Sequence, residues 1–158
     1  MKVIQAGSNR TIGGLQIGEE NEPVIGNNQM KIAVKAAGLN RADILQRMGH
    51  YPPPPSASKI MGLEVSGEIV EVGENVDGFR VGDRVLAGGG YAEFAVVDQG
   101  SVMLIPDNMD FVQAAGVAEV FLTGYQAMFL LGKLKAGETV LIYAGAGGVG
   151  TAAIQLTK

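Results

Sequence analysis

The chain of 158 residues has no cysteine, no tryptophan and a single histidine, His50. Without cysteine there is no disulfide framework, no thiolate zinc cluster and no cysteine nucleophile. One histidine rules out a multi-histidine metal site within one chain, and a Ser-His-Asp triad would have to use His50. Charged residues make up 18% and the formal net charge is −4, which argues against a nucleic-acid binder working through a general basic surface. No apolar run approaches the roughly 18 residues of a membrane span, and the N-terminus lacks the long apolar core of a signal peptide. These absences favour metal-free chemistry in a cytoplasmic protein that engages neither nucleic acid nor membrane.

Glycine is the opposite extreme, with 24 residues, about twice the usual ~7%. The glycines sit between apolar segments, as many short strands joined by tight turns require. Met30, Ile32, Val34 and Ala36 alternate with Lys31, Ala33 and Lys35, the period of a half-buried strand. Ala92, Phe94 and Val96 repeat the pattern after Gly88-Gly89-Gly90, and Val102 to Ile105 is a short strand stopped by Pro106-Asp107. Gly62 to Gly73 reads as another strand, whose interior Gly67 marks a bulge or a close backbone approach. Strands this short and frequent predict a small, partly closed barrel.

One short helix interrupts this region. Asn40 is a good N-cap, Asp43 places a carboxylate in the first turn, Gly49 is the stop, and Ile44, Leu45 and Met48 supply an apolar face. Tyr51 and Pro52 to Pro55 then enforce an extended loop. From about residue 110 the pattern changes. Asp110 caps a short helix through Gly116, and Ala118 to Leu131 has the length and apolar content of a buried helix. Thr139 to Tyr143 is the continuous apolar run of a parallel strand covered on both faces. Thr151 to Lys158 opens a further helix.

Between that strand and that helix lie Gly145, Gly147 and Gly150, a G-x-G-x-x-G. Glycines there allow a tight turn and let the backbone approach a pyrophosphate, whose charge meets the helix N-terminus. The alternative is a tight turn in an α/β domain that binds nothing. A P-loop is disfavoured because Thr151-Ala152 stand where Lys-Ser/Thr is needed. The chain ends before a ribose-selecting residue is reached, and the last helix would leave Val149, Ala152, Ala153 and Leu156 without a sheet to cover. An N-terminal fragment of a longer enzyme is therefore expected.

With these elements in place, the chain resembles the zinc-independent quinone oxidoreductase branch of the medium-chain dehydrogenase/reductase superfamily. The residues that carry the resemblance are Gly62-Leu63-Glu64-Val65-Ser66-Gly67, Val81-Gly82-Asp83-Arg84-Val85, and Gly137-Glu138 through Gly147-Gly148-Val149-Gly150 with Gln155 to Lys158. Gly145 departs from the Ser or Ala usual there. Leu39-Asn40-Arg41-Ala42-Asp43, Gln46, Tyr51-Pro52-Pro53-Pro54 and Ala152 to Thr157 look like the type that includes the p53-inducible quinone oxidoreductase. Leu63 stands where zinc-dependent relatives place histidine.

The resemblance implies a mostly β GroES-like catalytic domain over 1–122. The first β-α unit of a truncated Rossmann domain follows over 123–158. It implies reduction of a small-molecule quinone by NADPH, with NADH left open, in a full-length homodimer. In relatives the tyrosine matching Tyr51 lies beside the nicotinamide, where its hydroxyl would bond a quinone oxygen; packing on the prolines is the other account. Asn40 faces the nicotinamide cleft by the same resemblance and competes with its role as N-cap. Thr123 borders the cofactor or is merely packed, and Gly145, Ala146, Gly147, Gly148, Val149 and Gly150 hold the cofactor's phosphates. Asp43 reads as structural and Glu64 as a buried, paired carboxylate, with Arg84 as a partner. His50 reads as solvated, and Met48, Met61, Met103 and Met128 as core fillers. Enoyl-thioester reduction is the rival within the superfamily, and a non-catalytic GroES-like binding or oligomerisation module is the rival outside it.

Overall fold

The computed structural model describes residues 1–7, 14–54 and 57–158. The chain divides into two compact units, Met1–Gly116 and Val117–Lys158. In the first, β1 (Lys2–Ala6) and β2 (Leu15–Glu19) form an antiparallel pair. A five-stranded antiparallel sheet has the order β6-β3-β4-β5-β7. Its members are β3 (Gln29–Ala37), β4 (Glu64–Val72), β5 (Arg84–Gly88), β6 (Phe94–Asp98) and β7 (Val102–Leu104). The expected β-rich architecture with few short helices is what the chain adopts.

The core lies on this sheet, where Met30, Ile32, Ile69 and Val85 are almost wholly removed from water. β3 and β4 are its centre, and their register shifts twice, between Lys31 and Ile32 and between Val34 and Ala36. Gly67 sits between these irregularities, and a Cβ there would fall on the Ala33 carbonyl oxygen and on Ile32 Cγ2. The close backbone approach expected at Gly67 is therefore present. Two details of the alternation differ. Lys31 is buried beside Met30 and Ile32 because its ammonium pairs with Glu71 at 2.6 Å and Glu22 at 3.0 Å. In β6 the buried residues are Ala95 and Val97, one position out of phase with the predicted Phe94 and Val96. The cause is the β3–β6 pairing, which sets Val97 against Met30.

The helix α1 (Arg41–Met48) ends at Gly49 in the left-handed region, φ 77°, which a glycine adopts without strain. Its apolar residues do not form the expected buried face. Ile44, Leu45 and Met48 are 46%, 37% and 42% exposed, and the buried residue of the helix is Asp43. Met103 is likewise exposed, whereas Met61 is a core filler as expected.

The helix α2 (Phe111–Ala115), capped by Asp110 as predicted, closes the first unit. The second unit contains α3 (Ala118–Tyr125), a π-helical turn at Gln126–Leu131, and α4 (Gly148–Leu156). The helix over 118–131 is thus present but not buried: Leu122, Tyr125, Leu130 and Leu131 are exposed. Thr139–Tyr143 makes no strand, and Leu141 and Tyr143 are 76% and 85% exposed. A parallel strand exists only through its neighbours, and none of the described residues forms a ladder with it. The expectation for α4 is corrected too. Ala152 and Ala153 are buried and Leu156 half-buried, because α3 packs on α4 where Gly124 admits Leu156 and Ala153; Val149 alone of the four stays exposed.

Candidate functional site

Two constellations are built here, one in each unit. The first starts at the junction of β3 and α1. Asn40 is extended, φ −123° and ψ 150°, and forms a capping-box arrangement with Asp43. Asp43 Oδ2 accepts from the Asn40 N–H at 2.6 Å. The Asn40 Nδ2 donates to Glu64 Oε1 at 2.9 Å, so the amide reaches across to the start of β4. Glu64 is 3% exposed. Gly38 makes room for it, since a Cβ there would meet Glu64 Oε1 and the Ala115 carbonyl oxygen.

Sequence reasoning paired Glu64 with Arg84, and the register forbids it. Glu64 lies opposite Gly88 and Glu68 opposite Arg84. Arg84 donates to the Met109 carbonyl oxygen and stacks over the Phe111 ring, 4.8 Å from its centroid.

The residue that sequence reasoning missed is Tyr91. Its hydroxyl donates to Asp43 Oδ2 at 2.5 Å, with the Gly38 carbonyl oxygen 3.3 Å away. Nothing in the loop after Gly88-Gly89-Gly90 marks it, because the partner lies 48 residues earlier. The phenol is raised above its ordinary range, first by burial, then by the bond to Asp43, with the charges of Asp43 and Glu64 adding to it. The folded chain therefore keeps this proton at a pH where unfolded tyrosine, near ~10, loses it. That stability is present below about pH 10 and lost as pH rises beyond it. Tyr91→Phe is expected to flatten the alkaline fall in melting temperature, measured by thermal denaturation from about pH 9 to 11. An unchanged slope would show that Tyr91 contributes nothing there.

Tyr51 is 46% exposed and lies on a concavity of about 240 Å³ that it shares with Gln46, Gly49, Pro52, Pro53 and Met61. Gln46, in the same lining, accepts from the Gly62 N–H at 2.9 Å. Pro55 lies outside the described residues. His50 is exposed, as expected. The larger cavity, about 620 Å³, is lined by β1, Arg47 and Lys59 and includes neither Tyr51 nor Asn40. Volume alone does not make it the site, and its polar lining, which includes Gln5, Glu20, Arg47 and Lys59, holds none of the residues predicted for the reaction.

The second constellation is the glycine loop before α4. Ala144 has φ 54°, and the Gly147 N–H closes the turn on its carbonyl oxygen at 2.9 Å. Gly147 caps α4, and the Thr151 N–H takes the Gly147 carbonyl at 2.8 Å. The first-turn N–H groups of Gly148, Val149 and Gly150 are then the free donors of the helix end. Ala146, Gly147 and Gly148 are exposed, so bare backbone faces outward. Gly150 is required for another reason: a Cβ on it would strike the Ala144 carbonyl oxygen and Gly145 Cα, at 2.7 Å from the latter. Gly145 is different, since a Cβ there would meet only Ile154 Cδ1 at 3.5 Å. Thr123 is exposed on α3 in the same unit. The arrangement can receive an anion at the helix N-terminus.

Comparison with known proteins shows the family. Residues 26–107 match the alcohol dehydrogenase GroES-like domain. The chain is 40% identical over 136 residues to a quinone oxidoreductase-like protein 2 homolog of Nematostella vectensis, an alignment covering 84% of this chain and 37% of that protein. The CurK enoyl reductase superposes with a TM-score of 0.89 at 31% identity, over 98% of this chain and 50% of that one. Escherichia coli quinone oxidoreductase, solved with NADPH, gives a TM-score of 0.80 at 29% identity, over 98% of this chain and 48% of its own. The chain thus spans about half the length of these solved structures and less of the curated relative. It belongs to the alcohol dehydrogenase GroES-like domain family, within the medium-chain dehydrogenase/reductase superfamily.

Proposed function

We propose that the chain carries the GroES-like domain, over residues 1–122, and the opening of the nucleotide-binding domain, over 123–158, of a zinc-free NAD(P)H-dependent quinone oxidoreductase. The observation that carries this reading is the glycine loop at the start of α4. Its exposed Gly147 and Gly148, with first-turn N–H groups beyond them, suit the diphosphate of a nicotinamide dinucleotide. NADPH is favoured over NADH because a related quinone oxidoreductase was solved with it. The absence of cysteine, the single histidine and Leu63 beside Glu64 support chemistry without zinc.

The nicotinamide, when bound, supplies the hydride. The chain's own residues do the rest. Gly145, Ala146, Gly147, Gly148, Val149 and Gly150 hold the diphosphate, and Thr123 borders the cofactor. Asn40, its amide held by Glu64, faces the nicotinamide. The Tyr51 hydroxyl donates to the quinone oxygen on which negative charge grows, an interaction strongest in the transition state. In this reading the full-length protein is a cytoplasmic homodimer acting on a small-molecule quinone; no described helix is long and apolar enough to cross a membrane.

Tyr51→Phe is expected to lower kcat for quinone roughly 10- to 100-fold with little change in KM. An unchanged kcat would leave Tyr51 as a residue packed on its prolines.

The likeness to an enoyl reductase supports a second reading, reduction of an enoyl thioester on the same residues. The two are separated by one assay, run on the 158-residue chain and on the chain extended with the nucleotide-binding half of the Escherichia coli quinone oxidoreductase. NADPH and NADH are titrated by nicotinamide fluorescence. Absorbance at 340 nm is then followed with 9,10-phenanthrenequinone or a crotonyl thioester. Quinone-dependent oxidation by the extended protein, with little from the 158 residues, is expected. Thioester turnover alone would select the second reading. An extended protein that binds NADPH and reduces neither acceptor would leave a non-catalytic binding or oligomerisation module.

A further inference from the structure

We propose that Tyr91 and Asp43 are positioning residues, which through one carboxylate oxygen hold the backbone of Asn40 where its amide serves the reaction. The inference rests on the reading of Asn40 as a residue that faces the cofactor. Asn40 is extended and sits one residue before the helix; its carbonyl accepts from the Asp43 N–H at 3.0 Å, but as the residue before the first turn it has no helical acceptor for its own N–H. Leu39, immediately before it, is 87% exposed and offers no anchor. What fixes Asn40 is polar. Its N–H is held by Asp43 Oδ2 at 2.6 Å and its amide by Glu64 Oε1 at 2.9 Å.

The burial of Asp43 shows where this helix has placed its resources. Asp43 is 8% exposed while Ile44, Leu45 and Met48 of the same helix face outward. A carboxylate taken from water is costly unless well hydrogen-bonded. Here both donors, the Asn40 N–H and the Tyr91 hydroxyl, converge on Oδ2, whereas Oδ1 is buried with no hydrogen-bond partner among the described residues. An arrangement serving stability alone would satisfy both oxygens. One that concentrates two donors on the oxygen facing Asn40 fixes a position.

Tyr91 is a suitable fixed point. Its N–H donates to the Met61 carbonyl at 2.6 Å, and its own carbonyl accepts from the Ile4 N–H at 2.8 Å. It therefore ties the segment before β4 and strand β1 to the start of α1. Removal of the hydroxyl leaves the ring and both backbone bonds, and releases one end of the chain Tyr91–Asp43–Asn40.

The test uses Tyr91→Phe, with Asp43→Asn as the conservative second variant. By amide hydrogen exchange, the Asn40 N–H is expected to exchange at least ~10-fold faster in Tyr91→Phe, and by less in Asp43→Asn, which keeps one acceptor oxygen. Unchanged exchange in both overturns the proposal. In the extended protein, Tyr91→Phe is expected to lower kcat about 10-fold with KM within about 2-fold, and to lower it no further on an Asn40→Ala background. Additive losses would mean that Tyr91 does not act through Asn40, and also overturn the proposal. Failure of the underlying site reading looks different. Asn40→Ala then leaves turnover intact while Tyr91→Phe still frees the Asn40 N–H, which removes Asn40 from the reaction and leaves its pinning in place.

Discussion

Gly67→Ala is expected to lower the melting temperature by about 10 °C, while Gly100→Ala leaves it within about 2 °C. Gly67 lies on β4 opposite Val34, between the two register shifts of the central strand pair. An added Cβ falls on the Ala33 carbonyl oxygen, and lies 2.8 Å from Ile32 Cγ2 and 2.9 Å from the Ala33 carbonyl carbon. Two of those atoms are backbone, and Ile32 is fully buried, so neither neighbour has space to yield. Overpacking of a core costs typically 1–3 kcal/mol, and a clash with backbone belongs at about 3. Gly100 has no atom within 4 Å of the same position and no positive φ, so alanine there removes only unfolded-state entropy. Thermal unfolding followed by circular dichroism compares the two. Equal melting temperatures would show that β3 and β4 separate locally at little cost, and would sink the account of Gly67.

The strands were legible where a residue's own neighbours decide its fate. Met30 and Ile32 announce β3 by spacing, Asp110 announces α2 by capping, and Gly67 announces a close approach by standing in a strand's interior. Legibility failed wherever a distant partner decides. Lys31 is buried only because Glu71 and Glu22 come to it. The period of β6 was read in the wrong phase because its pairing with β3, not its own sequence, chooses the face. Thr139–Tyr143 has every local property of a strand, yet no strand among the described residues pairs with it. The outward face of α1 is the same case reversed: Ile44, Leu45 and Met48 look like core, while Asp43 takes the interior because Tyr91 and the Asn40 N–H meet it there.

The candidate site divides along the same line. The spacing of the glycine loop is a local code, and each glycine can be weighed from it. Asn40 and Glu64 were each visible, but their hydrogen bond was not, and Arg84 was named as the partner because charge is readable and register is not. Tyr91 could be found only by knowing that the loop after β5 returns to the start of α1.

Gly150→Ala is expected to weaken NADPH binding by about 100-fold in the extended protein, a loss of about 2.7 kcal/mol, while Gly145→Ala changes it by less than about 2-fold. The two glycines occupy the same motif and differ in what surrounds them. A Cβ on Gly150 collides with the Ala144 carbonyl oxygen and stands 2.7 Å and 2.9 Å from Gly145 Cα and carbonyl carbon. The contact is backbone against backbone, so relief requires the loop to lift away from α4. The Gly147 N–H to Ala144 bond then breaks, and with it the alignment of loop and helix-end donors on which an anion depends. A Cβ on Gly145 makes an ordinary contact with Ile154 Cδ1 at 3.5 Å, which agrees with the serine or alanine that the resembling family carries there. The measurement is nicotinamide fluorescence on both variants, with hydrogen exchange of the α4 amides as the structural readout. Faster exchange at Thr151 in Gly150→Ala, together with the lost affinity, is the expected pair. Undiminished affinity in Gly150→Ala would mean that the diphosphate does not sit on this loop. The assignment of the second unit to a nucleotide-binding domain would then fall, even though the first unit remained a GroES-like domain.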